Sequence, residues 1–564
     1  MKSLFSVHMH NFGKNVVYQP RHLYTPKTED DVLAILARHR DARIRVQGSG
    51  HSWSGIVEAT DVLVSVAHFV SITVEEAPAG PLARVGAGAT IEQILAALRQ
   101  TPYSLPTLGA IVRQTIAGAI ATATHGSGNG SLSSLVRAVK LACYDAGGKT
   151  VIKTLTGGDE LLATRTSLGC VGVILEITLE LVPRFWIHDV MKLHDSLESV
   201  LLEEAEWPEQ QFLVFPYGWR WYAYHRKRVP GVDSRDLRRL RWLRAYDILV
   251  VELGLNTLVK GVQGLARLFG TRAITGFWKY VLPPMMRSTP VSGDSETVLT
   301  LHTRHHHIYR HVEMELFVPR DHLPAAAAFL EEAIPFLAGI RRDVSVSLSA
   351  ELERVGLLAE YQALGGRYVH HYLIFCRRVL AEQTLLAMSE GGERYSISLF
   401  TFEPERRRAE YYAACEFLAR AFARLYSARP HWGKYNPLTL AEIGPLYPRL
   451  GDFWRYVGPT IRMACSRTPT RRQSWVRRLL ALRRSIRSLG WSLDRQVGRR
   501  GYGSMLWRDR CATYGRGGAK ALSLLRQVSS AHRAQEEHAI ARSSGRRLAA
   551  IRNVPRSEPR GEKL

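Results

Sequence analysis

Cysteine is scarce in this chain: six occur in 564 residues, at positions 143, 170, 376, 415, 465 and 511, and no two form a CxxC pair. Such scatter argues against both a disulfide framework and a structural zinc site, and no metal is expected. Also missing is any run of roughly 18 uninterrupted apolar residues, the length a membrane span requires. The segment from Met1 to Gly13 carries His8, His10 and Asn11 where a secretory signal needs a continuous apolar core. A cytoplasmic protein is therefore expected, with peripheral membrane contact as the alternative. Acids are the third shortage, 51 Asp and Glu against 76 Lys and Arg, for a formal charge of +25. The deficit is uneven, because from Cys465 onward roughly 24 basic residues face about 6 acidic ones. An excess confined to one appendage speaks for that appendage's partners and leaves the body only mildly basic. No RNA-binding signature accompanies it, so nucleic acid ranks last among partners.

What is present is a globular composition, 46% apolar and 23% charged, at a length that suggests two domains plus appendages. Asn15 to Tyr24 reads as a short strand. Thr28, ahead of Glu29, Asp30 and Asp31, caps a helix on which Val32, Leu33, Leu36 and Ala37 recur at helical spacing. Ile44 to Val46 alternates as a strand into Gln47-Gly48-Ser49-Gly50-His51-Ser52. Gly48 and Gly50 let the backbone take positive φ and turn consecutive N–H groups toward an anion, while Ser49 and Ser52 add hydroxyl donors. On these residues alone the stretch is a tight turn able to bind an anion. Strands follow at 62–66, 71–74 and 83–88, then a capped helix from Thr90 to Arg99. From Gln114 to Gly130 small residues dominate. Gly118, Ala119, Ala121 and Ala123 leave room for a large planar ligand, and Thr122, Thr124 and Ser127 offer hydroxyls to its edge. A helix packed tightly on a sheet and closed by Gly126 explains the alanines equally well, but not His125-Gly126-Ser127-Gly128. Strands resume at 135–144 and 150–155, and Ser167 to Leu181 ends in a clean alternation.

Three of these blocks resemble the FAD-binding domain of the vanillyl-alcohol-oxidase flavoprotein superfamily in content, order and spacing: Gly48 to Ser52, Gln114 to Gly128, and Ser167-Leu168-Gly169 with Gly172-Val173-Ile174. A fourth, His431-Trp432-Gly433-Lys434, is similar to a motif near the C-terminus of the aldonolactone oxidoreductase branch, which includes L-gulonolactone, D-arabinono-1,4-lactone and alditol oxidases. The resemblance implies an α+β fold: a two-subdomain PCMH-type FAD-binding domain, and an α+β cap domain whose sheet is flanked by helices. The boundaries expected are a lead-in at 1–14, the FAD domain at 15–183, the cap at 184–428 with a helical insert near 235–285, a return at 429–464 and a basic extension at 465–564. FAD is the implied cofactor. Gln47, Gly48, Ser49, Gly50 and Ser52 would hold its pyrophosphate, and His51 would tether the flavin covalently through the ring 8α-methyl. Gly118, Ala121, Thr122, Thr124, His125, Gly126, Ser127 and Gly128 would wrap the isoalloxazine and ribityl phosphate, with Val173 meeting the adenine side. Lys434 would sit by the N1/C2 carbonyl edge, stabilising the anionic reduced flavin.

The second half adds expectations of its own. Tyr217 to His225 reads as an aromatic strand, and 235–280 joins an arginine cluster to an apolar helical run, as a packed insert or a membrane-facing helix. His302, His305, His306, His307 and His311 are dense, but lack acidic or cysteine partners at ligand spacing. Val312 to Pro319 resembles the strand opening the second half of the family's cap, with a helix from Leu323 to Phe336 after it. Substrate-grasping relatives carry a Glu-x-Arg strand that by spacing falls at Val344 to Ser349, where Ser347 and Ser349 stand instead. His371 aligns with a substrate-side histidine able to take the alcohol proton as hydride passes to flavin N5. The extension past Cys465 reads as a disordered basic arm, a membrane- or RNA-contacting helix at Trp475 to Leu489, or a shifted reading frame. The activity implied is oxidation of an alcohol on a sugar-1,4-lactone or polyol, with dioxygen or a respiratory carrier reoxidising the flavin. A flavin enzyme for a different hydroxylated substrate and a non-catalytic, membrane-associated FAD scaffold are the alternatives.

Overall fold

Near-continuous apolar runs and alternating runs fold differently here, as their burial demands. A computed structural model describes residues 8–232, 270–285, 290–300 and 310–457, with isolated positions between 238 and 264. Most of the expected insert, His302 to His307 and the entire extension past Cys465 lie outside the described residues.

Strand β1 (Met9–His10) pairs with β2 (Val17–Tyr18), and β3 (His22–Tyr24), β4 (Ile44–Gln47) and β5 (Val62–Ser65) form a parallel sheet in the order β3-β5-β4. Val62, Leu63 and Val64 are fully buried, as a parallel strand covered on both faces requires. Helix α1 (Glu29–Arg38) starts from a capping box of Thr28 and Asp31 and buries Val32, Ile35 and Leu36. A five-stranded antiparallel sheet comes next, built from β6 (Ile72–Ala77), β7 (Gly80–Gly86), β9 (Val136–Tyr144), β10 (Thr150–Leu155) and β11 (Val173–Glu180) in the order β10-β9-β11-β7-β6. The short β8 (Tyr103–Ser104) pairs with β12 (Val182–Pro183). Helices α2 (Ile91–Leu98), α3 (Ile116–Ala121) and α4 (Gly158–Arg165) belong to this half.

The second half is one eight-stranded antiparallel sheet: β13 (Trp186–His194), β14 (Gln211–Val214), β15 (Trp221–Val229), β16 (Val291–Asp294), β17 (Val312–Pro319), β18 (Ile374–Val379), β19 (Arg394–Thr401) and β20 (Arg429–Pro430), in the order β16-β13-β15-β14-β18-β19-β17-β20. The period of two sorts its faces. Met314, Leu316, Val318, Ile397 and Leu399 share a core with Phe329 and Phe417 from the helices Leu323–Leu337 and Ala409–Tyr426. Glu313, Glu315, Phe317, Ser396 and Ser398 stand on the opposite face. The result is α+β, with both halves joined through that second face.

Two local expectations are corrected. Val344 to Ser349 is not a strand: Ser345 accepts the Leu348 N–H and caps the helix Val346–Arg354, which sends Leu348 and Leu352, four apart, to the core. Ser347 and Ser349 therefore lie on that helix, away from the sheet. The aromatic strand begins later than expected, because Tyr217 and Trp219 adopt left-handed backbone (φ 70° and 44°) and turn the chain ahead of Trp221. Among the described residues no helix is long and apolar enough to cross a membrane, and Cys143, Cys376 and Cys415 carry free thiols.

Candidate active site

Four sequence-distant motifs meet in one place, and backbone hydrogen bonds fasten them. The turn after β4 carries Gly50 at φ 70°. A methyl on Gly48 would lie 2.0 Å from Thr115 Oγ1, so only glycine permits this approach to α3. The His431 to Lys434 loop clips onto the same turn. Trp53 N–H donates to the Gly433 carbonyl (2.8 Å), Ser52 Oγ to the same oxygen (3.3 Å), and Ser54 Oγ to the Trp432 carbonyl (2.6 Å). Gly433 also abuts Thr122, whose Oγ1 would be 3.1 Å from an added methyl.

The small-residue block forms the other wall. Thr122 Oγ1 donates to the Gly118 carbonyl (3.2 Å), the Ala121 carbonyl accepts Leu168 N–H (3.1 Å), and Thr124 covers Gly109. Gly126 sits against the Leu108 carbonyl, Ser127 Oγ donates to the Gln210 carbonyl, and Gly128, at φ 74°, donates its N–H to the Arg378 carbonyl (2.9 Å). This stretch thereby docks the first half of the chain on the large sheet. Gly48, Ser49 and Gly118 face solvent, whereas Thr122, Thr124, His125 and Ser127 are buried. His51 is half-buried with its ring 5.4 Å from Phe12. Val173 opens β11 opposite Ala142, inside the five-stranded sheet.

A charged cluster occupies the sheet side. Glu313 and Glu315, 3% and 1% exposed, project from one face of β17. Lys434 Nζ is paired with Glu313, lies 3.9 Å from Glu315, and stands 4.7 Å over the Trp53 ring. His125 Nε2 is 3.2 Å from Glu315 Oε1, and His431 Nδ1 accepts Gly433 N–H at 2.9 Å. Burial alone would raise the Glu315 carboxyl, but the adjacent His125, with Lys434 and His431, holds it well below the usual carboxylate range. Burial lowers His431 to about 3. His371 stands at the approach to β18, beside Tyr372. Its Nε2 accepts Phe402 N–H (3.1 Å), and it also bonds the Val369 backbone. Acting as a base would require breaking the first contact.

On β18 residues two apart share a strand face, and Phe375 and Arg377 stand on the face that carries Ser398 and Leu213. Arg377 Nε donates to Gln211 Oε1 (3.3 Å), while Phe375 packs on Tyr372 and Phe400. Sequence reading missed Glu313, Glu315 and Phe375. The available signal was a pair of glutamates at i and i+2 inside an otherwise apolar strand.

The cradle fits FAD on its own chemistry. The Thr115 and Thr107 hydroxyls are buried without a hydrogen-bond partner, at the back of Gly48 and Gly126 respectively, where glycine leaves the backbone bare.

Comparison with known proteins agrees with this geometry. Residues 20–152 match the FAD binding domain model, and residues 177–456 match the D-arabinono-1,4-lactone oxidase model. A long-chain alcohol oxidase from an uncultured marine euryarchaeote is 36% identical over 449 residues, 78% of this chain and 92% of that one. L-gulono-1,4-lactone dehydrogenase of Mycobacterium tuberculosis is 25% identical, and an alditol oxidase from a Streptomyces species 22%, each over 78% of this chain and 93% of its own length. Cholesterol oxidase from B. sterolicum shares the fold at a TM-score of 0.58 and 15% identity, over 81% of this chain and 95% of its own. The chain belongs to the FAD-dependent oxidoreductases of the vanillyl-alcohol-oxidase superfamily, in the aldonolactone oxidase branch.

Proposed function

We propose that the chain oxidises a hydroxyl at the end of a long apolar chain. The observation that carries this reading is one row of side chains across the sheet, Glu315, Ser398, Phe375, Leu213 and Tyr222, each opposite the next on neighbouring strands. It passes from a buried carboxylate to aromatic and aliphatic side chains within two strands. Phe400, Tyr372 and Phe402 extend the apolar end, their rings 4.7 to 5.7 Å apart. A polyol needs polar partners along its whole length, since hydroxyls left unpaired on burial are costly. The name of the euryarchaeal relative supports the same choice. Oxidation of a sugar-1,4-lactone or polyol is the second reading, favoured by Arg377 and the His-Trp-Gly-Lys loop.

Bound FAD would supply the two-electron acceptor, taking hydride from the carbinol carbon, with dioxygen or a respiratory carrier receiving the electrons afterward. Gln47 to Ser52 and Gly118 to Gly128 would hold it, with Val173 at the adenine end and His51 as the covalent tether. Lys434 supplies a fixed positive charge, oriented by Glu313 and shielded from water by Trp53. Glu313, beside that ammonium, is the carboxylate we assign to accept the hydroxyl proton, in place of His371, whose Nε2 already accepts a backbone hydrogen bond.

The test is anaerobic reduction of the purified yellow protein. A long-chain primary alcohol should bleach it, and xylitol or L-gulono-1,4-lactone should not. Bleaching by the lactone or polyol alone would establish the second reading, and bleaching by none of them would leave the scaffold. Flavin that stays bound after acid precipitation, and becomes extractable in His51→Ala, supports the tether; extraction from the unmodified protein refutes it.

A further inference from the structure

On the helix-covered face of the large sheet, two histidines from adjacent strands point their Nε2 atoms at each other. His194 ends β13 and His225 lies within β15, and the alternation that sends Leu193 and Tyr224 to the substrate face sends both histidines to the opposite one. Their Nε2 atoms are 2.9 Å apart. Helix α5 (Leu197–Leu202) runs over them, and the residue after it, Glu203, brings Oε2 to 3.6 Å from His225 Nε2. All three potential ligand atoms lie within 4.8 Å of one another.

We propose that His194, His225 and Glu203 form a site for a divalent transition-metal ion of the zinc class, separate from the flavin chemistry. Two imidazole nitrogens and one carboxylate oxygen are the donor set of three-ligand zinc sites, which leave a fourth position to water. Zinc to nitrogen distances near 2.0–2.1 Å in tetrahedral geometry require the two Nε2 atoms to separate by only a few tenths of an ångström. The surroundings are arranged as such sites usually are. His194 Nδ1 faces Ser199 Oγ at 3.2 Å, a contact that fixes the ring with Nε2 turned inward. Trp207 covers His225 at 5.4 Å between ring centroids. The histidines are 6% and 1% exposed, while the Glu203 side chain, 30% exposed, gives an entry path. His225 Nδ1, which would carry the ring proton once Nε2 binds the ion, is buried without a hydrogen-bond partner, so this ring lacks the outer contact that His194 has. One group opposes the metal: Lys192 Nζ is paired with Glu203. It is half exposed and can swing into solvent, which makes Lys192 and the ion competitors for one carboxylate. A bound ion would clip α5 to β13 and β15.

The test uses holoenzyme stripped with a chelator and titrated with Zn2+ against a chromophoric competitor, with metal content read by mass spectrometry. One equivalent should bind, with affinity falling at least about 100-fold in His194→Ala and His225→Ala and about tenfold in Glu203→Gln. Lys192→Met should bind more tightly than the unmodified protein, and this variant decides the matter if the alanine variants do not fold. No zinc uptake by the unmodified protein, or uptake indifferent to all four substitutions, overturns the site.

Discussion

Replacing Phe375 with alanine should shorten the substrate that this enzyme prefers, and the sheet sets the size of the effect. From Ser398 on β19 to Tyr222 on β15 there are three interstrand steps of about 4.8 Å, a row about 14 Å long whose far members, Leu213 and Tyr222, pack under Phe277, Trp278 and Leu282, so a substrate chain would have to lie between the sheet and those side chains. Each methylene laid on this strip is worth up to about 0.8 kcal/mol, so kcat/KM should climb by up to about fourfold per carbon until the strip is full. Phe375 is half-buried at the near end of the strip, flanked by Ser398 and Leu213. Removing its ring forfeits about 1 kcal/mol of contact, a factor of about five, only for alcohols long enough to pass it. The assay is oxygen uptake, or dye reduction where dioxygen is not the acceptor, across a homologous series of primary alcohols for both proteins. A flat profile in the unmodified enzyme, or a Phe375→Ala loss equal for short and long alcohols, would refute the reasoning.

Glu313→Gln should lower kcat by about 10²-fold or more if its carboxylate takes the hydroxyl proton, whereas His371→Gln should keep most of kcat and lose thermal stability. A pH profile of kcat for both variants checks this, and the reverse pattern would return the role to His371. Acid should weaken the fold well above the carboxylate range. Burial lowers His370 to about 3, His371 to about 4 and His431 to about 3, against about 6.5 unfolded, so below pH 6.5 the unfolded chain binds more protons and stability falls with pH. Each contributes a loss of about 2 kcal/mol by pH 5. Glu315 behaves oppositely in position: its depressed carboxyl stabilises above the unfolded value near 4.3 and is lost only as pH falls through its lower folded value, so it adds nothing between pH 7 and 5. Urea midpoints at the two pH values test this, with a smaller drop expected in His371→Gln and a flat profile counting against it.

Several of these features could be read directly from the chain because they depend on local rules. Thr28 with Asp31, and Thr90 with Gln93, satisfy the first backbone donors of their helices, and those helices form where the boxes lie. Gly48 to Ser52, the small residues from Gly118 to Gly128 and His431 to Lys434 marked an FAD protein, since close backbone approach to a ligand restricts residue type at each position. Residues 344–349 were misread because spacing along a sequence does not say whether a segment pairs or coils; Leu348 and Leu352 reaching one core decided for the helix. Only the sheet register placed Phe375 in line with Ser398 and Glu315, and so disclosed an apolar strip beside the charged end of the site. The glutamates of β17 became recognisable as the partners of Lys434 only when β20 laid the distant loop along that strand. Sequence by itself determined the cofactor and the family, whose signatures are contiguous; tertiary structure decided which side chains share the face we propose for substrate, because that face takes one or two residues from each of five strands.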